Sequence, residues 1–290
     1  MDLATVPWIS EVDAVVIGTP PATHHAIGLQ AISLGKDVLT EKPFAMTTAE
    51  GDELVRAANE SGKMLAVVHN FQFSRSFLRL RADLESGRLG SPRAYEAHQW
   101  SSAGRRLPVW YGELPGGLFF DESPHLIYLL RALAGRELRF SAAHAALSRA
   151  GARTPELLTA FFETASGVPA RMTLNFAAPL SEWYVAVLGS RAVGIADIFR
   201  NVYLRLPGDG LHETAGVLRT SLAATARHWL GQVRPGIEFA LGRAMYGNVE
   251  VMRRFGAACR SGSAPEGIAK EDGLDVLRLQ HAILDGAGVG

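Results

Sequence analysis

The run Ala14-Val15-Val16-Ile17 is unbroken by polar residues and ends in Gly18-Thr19-Pro20-Pro21. A short run of this kind suits a strand buried on both faces, as in a parallel sheet, where a half-exposed strand would alternate. A helical stretch over residues 23–34 follows, with Thr23 placed to cap it and Gly35 to stop it. Val38-Leu39-Thr40 is the next short strand and leads into Glu41-Lys42-Pro43. Thr47 and Glu50 have capping-box spacing. The helix they open carries Leu54, Val55 and Ala58 on one face and ends near Gly62. Residues 64–68 form a third apolar run. Strand, helix, strand, helix, strand in this order implies two βαβ units and a right-handed parallel sheet.

Beyond a basic amphipathic helix over residues 77–85 the pattern changes. Residues 93–100, 138–147, 157–164, 170–176, 183–188 and 193–199 read as strands, with one helix among them at 124–134. Ala165-Ser166-Gly167 is a hairpin signal between two of them. Strands in series without crossover helices imply a large, mostly antiparallel sheet. From about Leu218 onward the chain reads as mainly helical. The fold class is therefore α/β plus α+β. The boundary falls near Asn70 to Ser76 and divides the chain into residues 1–72 and 73–290.

Composition narrows the function more than the fold. The chain has 290 residues, 48% hydrophobic and 20% charged, which is ordinary globular composition with ample core. Lys plus Arg equals Asp plus Glu at 29 each, so nothing calls for nucleic acid or an anionic membrane surface. Cys259 is the single cysteine, which excludes an intrachain disulfide and a cysteine cluster for zinc, and no metal is expected. Residues 1–11 lack a basic region followed by an apolar run. No apolar stretch reaches the roughly 18 residues of a membrane span, and the expected compartment is the cytoplasm.

Three constellations carry candidate chemistry. Thr19-Pro20-Pro21-Ala22-Thr23-His24-His25 joins a parallel strand to a helix, where ligands of open α/β sheets bind. A proline-stiffened loop with surface histidines is the plainer alternative. Glu41-Lys42-Pro43 stands at the end of the next strand. Its lysine offers a point charge and three donors, and its proline suits a tight turn, cis or trans. A surface lysine in a loop is the competing reading. In Gly116-Gly117-Leu118-Phe119-Phe120-Asp121-Glu122-Ser123-Pro124-His125, Ser123 has the character of a helix N-cap and Pro124 of a first helical residue. His125 is then expected in the first turn, where the helix dipole keeps it neutral and able to accept a proton. Leu126, Leu129, Leu130 and Leu133 form a core stripe that leaves His125 to one side. A capped core helix with an incidental histidine is the alternative here.

In this order the three motifs resemble the Gfo/Idh/MocA family of oxidoreductases, and the resemblance covers essentially the whole chain. It implies a partial Rossmann-like domain followed by an α+β substrate and dimerisation domain, with NAD or NADP as cofactor. It further implies hydride transfer to or from a carbinol carbon of a sugar, polyol or related small molecule, and a homodimer or higher homo-oligomer. Carried residue by residue, it makes His125 the group that exchanges a proton with substrate and Asp121 its support. It places Lys42 against cofactor and substrate, and Thr19, Pro20, His24, Glu41 and Asn70 along the cofactor. The family often has glycine at the position of Ser123, aspartate at that of Tyr128, and arginine where Gln72 follows the third strand. A binding or scaffolding protein without catalysis is the alternative function.

A dinucleotide fold begins with a strand, a Gly-x-Gly-x-x-Gly turn, a helix and a second strand ending in an acid. No such segment precedes Asp13. The expectation is that only the nicotinamide-side half of the sheet is present. The ADP-binding half would be missing through a misplaced start or a fragment, NAD(P) binding would be impaired, and the Ala14–Ile17 edge would be left open.

Overall fold

The computed structural model describes residues 2–148, 152–242 and 246–289. Its first sheet has three parallel strands, β1 (Ala14–Ile17), β2 (Asp37–Thr40) and β3 (Leu65–Val67), adjacent in that order. Helix α1 (His24–Ser33) connects β1 to β2, and α2 (Thr48–Ser61) connects β2 to β3. The capping box opens α2: Thr47 Oγ1 accepts from the Glu50 amide at 3.2 Å, and Glu50 Oε2 accepts from the Thr47 amide at 3.3 Å. Gly62 closes α2 at φ +65, a conformation that favours glycine. Thr23 does not cap α1 as expected. A 3₁₀ turn over Pro21–Thr23 precedes the helix, and the Thr23 hydroxyl bonds Pro20 O at 2.8 Å and Thr19 Oγ1 at 2.6 Å. Proline at residue 21 starts that turn early and draws the hydroxyl back into it.

The apolar runs of β2 and β3 are buried on both faces, whereas β1 lies at the sheet edge and is not buried on both faces as expected: Ile17 is buried, but Val16 is 54% exposed. Val38, Leu65 and Val67 pack with Ala31, Leu54 and Ala58 from α1 and α2. Leu39, Ala66 and Val68 pack on the other face with Val251 and Phe255 of α6 (Asn248–Ser261) and with Ile268. The tail therefore returns to cover the first sheet, which the local pattern did not reveal.

Helix α3 (Arg75–Glu85) leads to the second sheet. Its strands are β4 (Pro92–Ser102), β5 (Arg139–Ala146), β6 (Leu157–Glu163), β7 (Ala170–Ala178), β8 (Glu182–Gly189), β9 (Ala192–Asp197) and β10 (Val202–Pro207). They lie in the order β10-β9-β8-β4-β7-β6-β5, antiparallel except for the β4–β7 pair. Strand β10 went unpredicted: Val202 is buried but residues 203–206 are half-buried, so the edge strand lacks a clear alternation.

Helix α4 packs on this sheet and differs most from expectation. It runs Leu118–Ala134 and so begins six residues before the predicted start. Gly117, at φ +59, precedes it, and Thr154 Oγ1 accepts from the first helical amide, that of Leu118, at 3.0 Å. A Cβ on Gly117 would come within 2.0 Å of Thr154 Oγ1, so glycine is required for this approach. Ser123 is therefore not a cap and Pro124 lies inside the helix, where it has no amide to give the Phe120 carbonyl. Gln280, from α7 (Lys270–Ala287), supplies the donor: its Nε2 reaches Phe120 O at 2.8 Å and Ser123 Oγ at 3.0 Å. His125 is consequently in the third turn of α4, and it is buried, as is the leucine stripe beside it. Helix α5 (Thr214–Ala240) runs over the surface with no buried residue.

Candidate active site

The segments that follow β2 and β3 meet α4 between Asp121 and Tyr128. From the loop after β2, Lys42 Nζ donates to Asp121 Oδ1 at 2.7 Å and to the Asp121 carbonyl at 2.9 Å. The two side chains are 16% and 14% exposed, so the pair is largely sheltered from solvent. The Lys42-Pro43 bond is cis. Glu41 folds back to accept from the Lys42 amide at 3.2 Å, and burial raises its pKa.

Asp121 thus bonds Lys42, and His125 takes its partner elsewhere: its Nδ1 lies 2.8 Å from Tyr128 Oη. No hydrogen bond involves His125 Nε2 among the described residues. The ring is walled by aromatics, with Phe71 at 4.6 Å, Trp183 at 5.1 Å and Tyr128 at 5.6 Å between centroids. Its pKa is held well below the usual 6.5, first by burial, then by the Lys42 charge and by His69. His125 is therefore neutral, as predicted, but the cause is different. Two turns into the helix the terminal dipole has faded, and desolvation of the charged form does the work.

The cofactor-side candidates divide. Gly18, Thr19 and Pro20 are exposed at the end of β1, and a Cβ on Gly18 would meet nothing within 4 Å. His24 is buried. Its Nδ1 lies 2.8 Å from Pro43 O and its Nε2 2.8 Å from Thr19 O, so the ring ties the loop after β1 to the loop after β2. Asn70 Oδ1 accepts from Tyr128 Oη at 3.3 Å, directing its amide toward α4.

Several contributors were missed. Tyr128 was noted only as a departure, although its spacing of three from His125 puts it on the same helix face. His69 stacks on Tyr128 at 4.4 Å, and burial lowers its pKa to about 3. Trp183 comes from β8, far along the chain, and its buried Nε1 has no hydrogen-bond partner among the described residues. Glu122, next to Asp121, accepts from Arg105 and Gln99 in a buried cluster, and burial raises its pKa despite Arg105. No local signal marks Trp183 or the Arg105 pairing.

The open strand ends, the exposed Thr19-Pro20 loop and the Lys42 ammonium fit the nicotinamide side of a dinucleotide. The described residues ahead of β1 make two 3₁₀ turns, Leu3–Thr5 and Ile9–Glu11, and hold no glycine-rich phosphate turn.

Comparison with known proteins agrees with this architecture. Residues 1–69 match the oxidoreductase family with an NAD-binding Rossmann fold, and residues 77–193 match the GFO/IDH/MocA C-terminal domain. An uncharacterized oxidoreductase of Schizosaccharomyces pombe is 38% identical over 120 residues, which are 41% of this chain and 32% of the relative. The 1,5-anhydro-D-fructose reductase of Ensifer adhaerens is 35% identical over 118 residues, 40% of this chain and 35% of the relative. The chain thus spans about a third of the length of these curated relatives. Among solved structures, GenD2 from gentamicin A biosynthesis in complex with NAD superposes with a TM-score of 0.75 at 22% identity, over 99% of this chain and 78% of GenD2. At that identity it attests to the fold. The two matched domains, in order and joined as the motifs require, show that the chain belongs to the Gfo/Idh/MocA family of oxidoreductases.

Proposed function

We propose that the protein moves a hydride between NAD(P) and a carbinol carbon of a sugar, polyol or related cyclic alcohol. The observation that carries this reading is the convergence of Lys42, paired to Asp121, with a buried neutral His125 at the carboxyl ends of a parallel sheet. The nicotinamide, when bound, supplies the hydride chemistry, and the protein supplies orientation and proton transfer. Thr19 and Pro20 would lie along it, with Lys42 at the junction of cofactor and substrate. His125 exchanges the hydroxyl proton through Nε2, the ring nitrogen that no described protein group occupies. Lys42 offers its charge to the substrate oxygen and stabilises the developing alkoxide. Asp121 holds the ammonium in place through two contacts. His24 fixes the spacing of the two loops that carry Thr19 and Lys42. The reductase activity named for the Ensifer adhaerens relative supports a sugar-like substrate.

Fluorescence titration with reduced nicotinamide mononucleotide, which lacks the ADP moiety, tests this directly. Saturable binding that Lys42→Met weakens at least fivefold is the expected result. Absence of binding to this probe and to NADH and NADPH, in a folded chain, refutes the reading.

A further inference from the structure

We propose that Tyr128 and Asn70 are positioning residues that fix the tautomer of His125, with the proton on Nδ1 and Nε2 left bare, so that the histidine meets an alcohol as a proton acceptor. The inference rests on the reading of His125 as the acid–base group, and it adds the direction in which the resting site is set.

The argument is one of donor and acceptor counting. Tyr128 Oη has three neighbours: the Phe71 amide at 3.0 Å, His125 Nδ1 at 2.8 Å and Asn70 Oδ1 at 3.3 Å. A phenol has one hydrogen to give and two lone pairs to offer. The Phe71 amide can only donate, so it takes one lone pair. Asn70 Oδ1 can only accept, so it takes the hydrogen. What remains for His125 is a lone pair, which calls for a hydrogen on Nδ1. A neutral imidazole carries one hydrogen, and Nε2 is then an acceptor.

The surroundings leave little room for another arrangement. The Tyr128 ring is clamped by His69 at 4.4 Å, and the His125 ring is held between Phe71 and Trp183. Tyr128 and His125 are both buried, so water does not readily replace either partner. The groups that face His125 are Lys42 from the loop after β2, His69 from the segment after β3, Trp183 from β8, and Tyr128 on α4 itself. None of these brings a negative charge to Nδ1, since burial pushes the Tyr128 phenol well above its ordinary pKa and keeps it neutral. The aspartate that the family often has at this position would instead favour a charged imidazolium. The phenol sets orientation without that charge, so the ring accepts a proton reversibly and does not hold one at rest.

The test reads the tautomer itself and needs no substrate. Histidine labelled with ¹⁵N in the 290-residue chain, examined by long-range ¹H–¹⁵N correlation at pH 8, distinguishes protonated from bare ring nitrogens, and His125→Gln assigns the signals. The expected result is a protonated Nδ1 and a bare Nε2. In Asn70→Ala the Tyr128 hydrogen turns to Nδ1, and the proton moves to Nε2. In Tyr128→Phe the preference for Nδ1 is lost. A wild-type His125 protonated on Nε2, or a pattern unchanged in both variants, overturns the proposal. Failure of the functional reading is separate: it would appear as the expected tautomer in a chain that binds no nicotinamide.

Discussion

Removing Gln280 tests the account of how α4 tolerates its internal proline. Phe120 O, which Pro124 cannot serve, depends on Gln280 Nε2 at 2.8 Å, and the same amide reaches Ser123 Oγ at 3.0 Å. Gln280 is fully buried, so water does not step in for it. In Gln280→Leu the carbonyl loses its partner, a cost of about 1–3 kcal/mol, and the bond to Ser123 is lost for about 0.5–1.5 kcal/mol more. Against this, Gln280 Oε1 has no hydrogen-bond partner among the described residues, so its removal relieves a buried polar atom. The net expectation is a loss of about 2 kcal/mol. Urea unfolding followed by tryptophan fluorescence measures it through linear extrapolation. Pro124→Ala provides the internal control, because alanine restores the amide that can serve Phe120 O. In that background Gln280→Leu should cost less by about 1 kcal/mol, a coupling that a double-mutant cycle isolates. A Gln280→Leu protein within about 0.5 kcal/mol of the parent, or an undiminished loss beside Pro124→Ala, would refute the reasoning.

Stability should fall on acidification. His69 and His125 have folded pKa values below the usual 6.5, so the unfolded chain binds protons first and stability declines as pH drops below 6.5. With His69 at about 3, its share is about 2 kcal/mol between pH 7 and 5, and His125 acts in the same direction. Urea midpoints across that range, with His69→Phe flattening the slope, check this. With the glycine-rich segment of a complete dinucleotide fold supplied, His125→Ala should lower turnover at least tens-fold while leaving cofactor affinity near its parent value. Steady-state kinetics on a polyol panel beside NAD(P)H titration gives the answer, and near-normal turnover would make the histidine structural. By itself the 290-residue chain should bind NADH no more tightly than reduced nicotinamide mononucleotide, because no glycine-rich phosphate turn is among its residues. Calorimetry showing micromolar NADH affinity would contradict this. A homodimer is expected through the outer face of the second sheet, where Trp100 and Phe161 are exposed; light scattering at micromolar concentration would detect a monomer instead.

What the sequence made legible was local. The apolar runs of β1, β2 and β3, the capping box of α2 and the glycine that ends it all act within a few residues. The start of α4 was misplaced because its first amide is satisfied by Thr154, 36 residues away. With that acceptor invisible, Ser123-Pro124 looked like the beginning of a helix. Lys42, Asp121 and His125 were identified as a group, but their pairing was not, since Asp121 at four residues from His125 also lies within reach of a lysine 79 residues earlier. The aromatic wall depends on Trp183, whose approach to His125 follows from the order of strands in the second sheet and from nothing in its own neighbourhood.

That strand order has a kinetic side. Strands β5, β6 and β7 form one antiparallel meander and β8, β9 and β10 another, each joined by short connections. Strand β4 is made well before either yet lies between them, pairing Tyr95 with Ala170 on one side and with Val187 on the other. The two ribbons can zip from nearby contacts, whereas β4 must close a loop of some 75 residues to dock, which local entropy delays. Pulse-labelled hydrogen exchange should therefore find β5–β7 and β8–β10 amides protected before those of β4. The strand that arrives last is also the one directly preceding α4 and lying beneath it, with Gln99 and Ser101 turned toward Glu122. On this order the proposed Lys42, Asp121 and His125 group is expected to come together only once the sheet is whole, so that a half-built molecule would not yet present it.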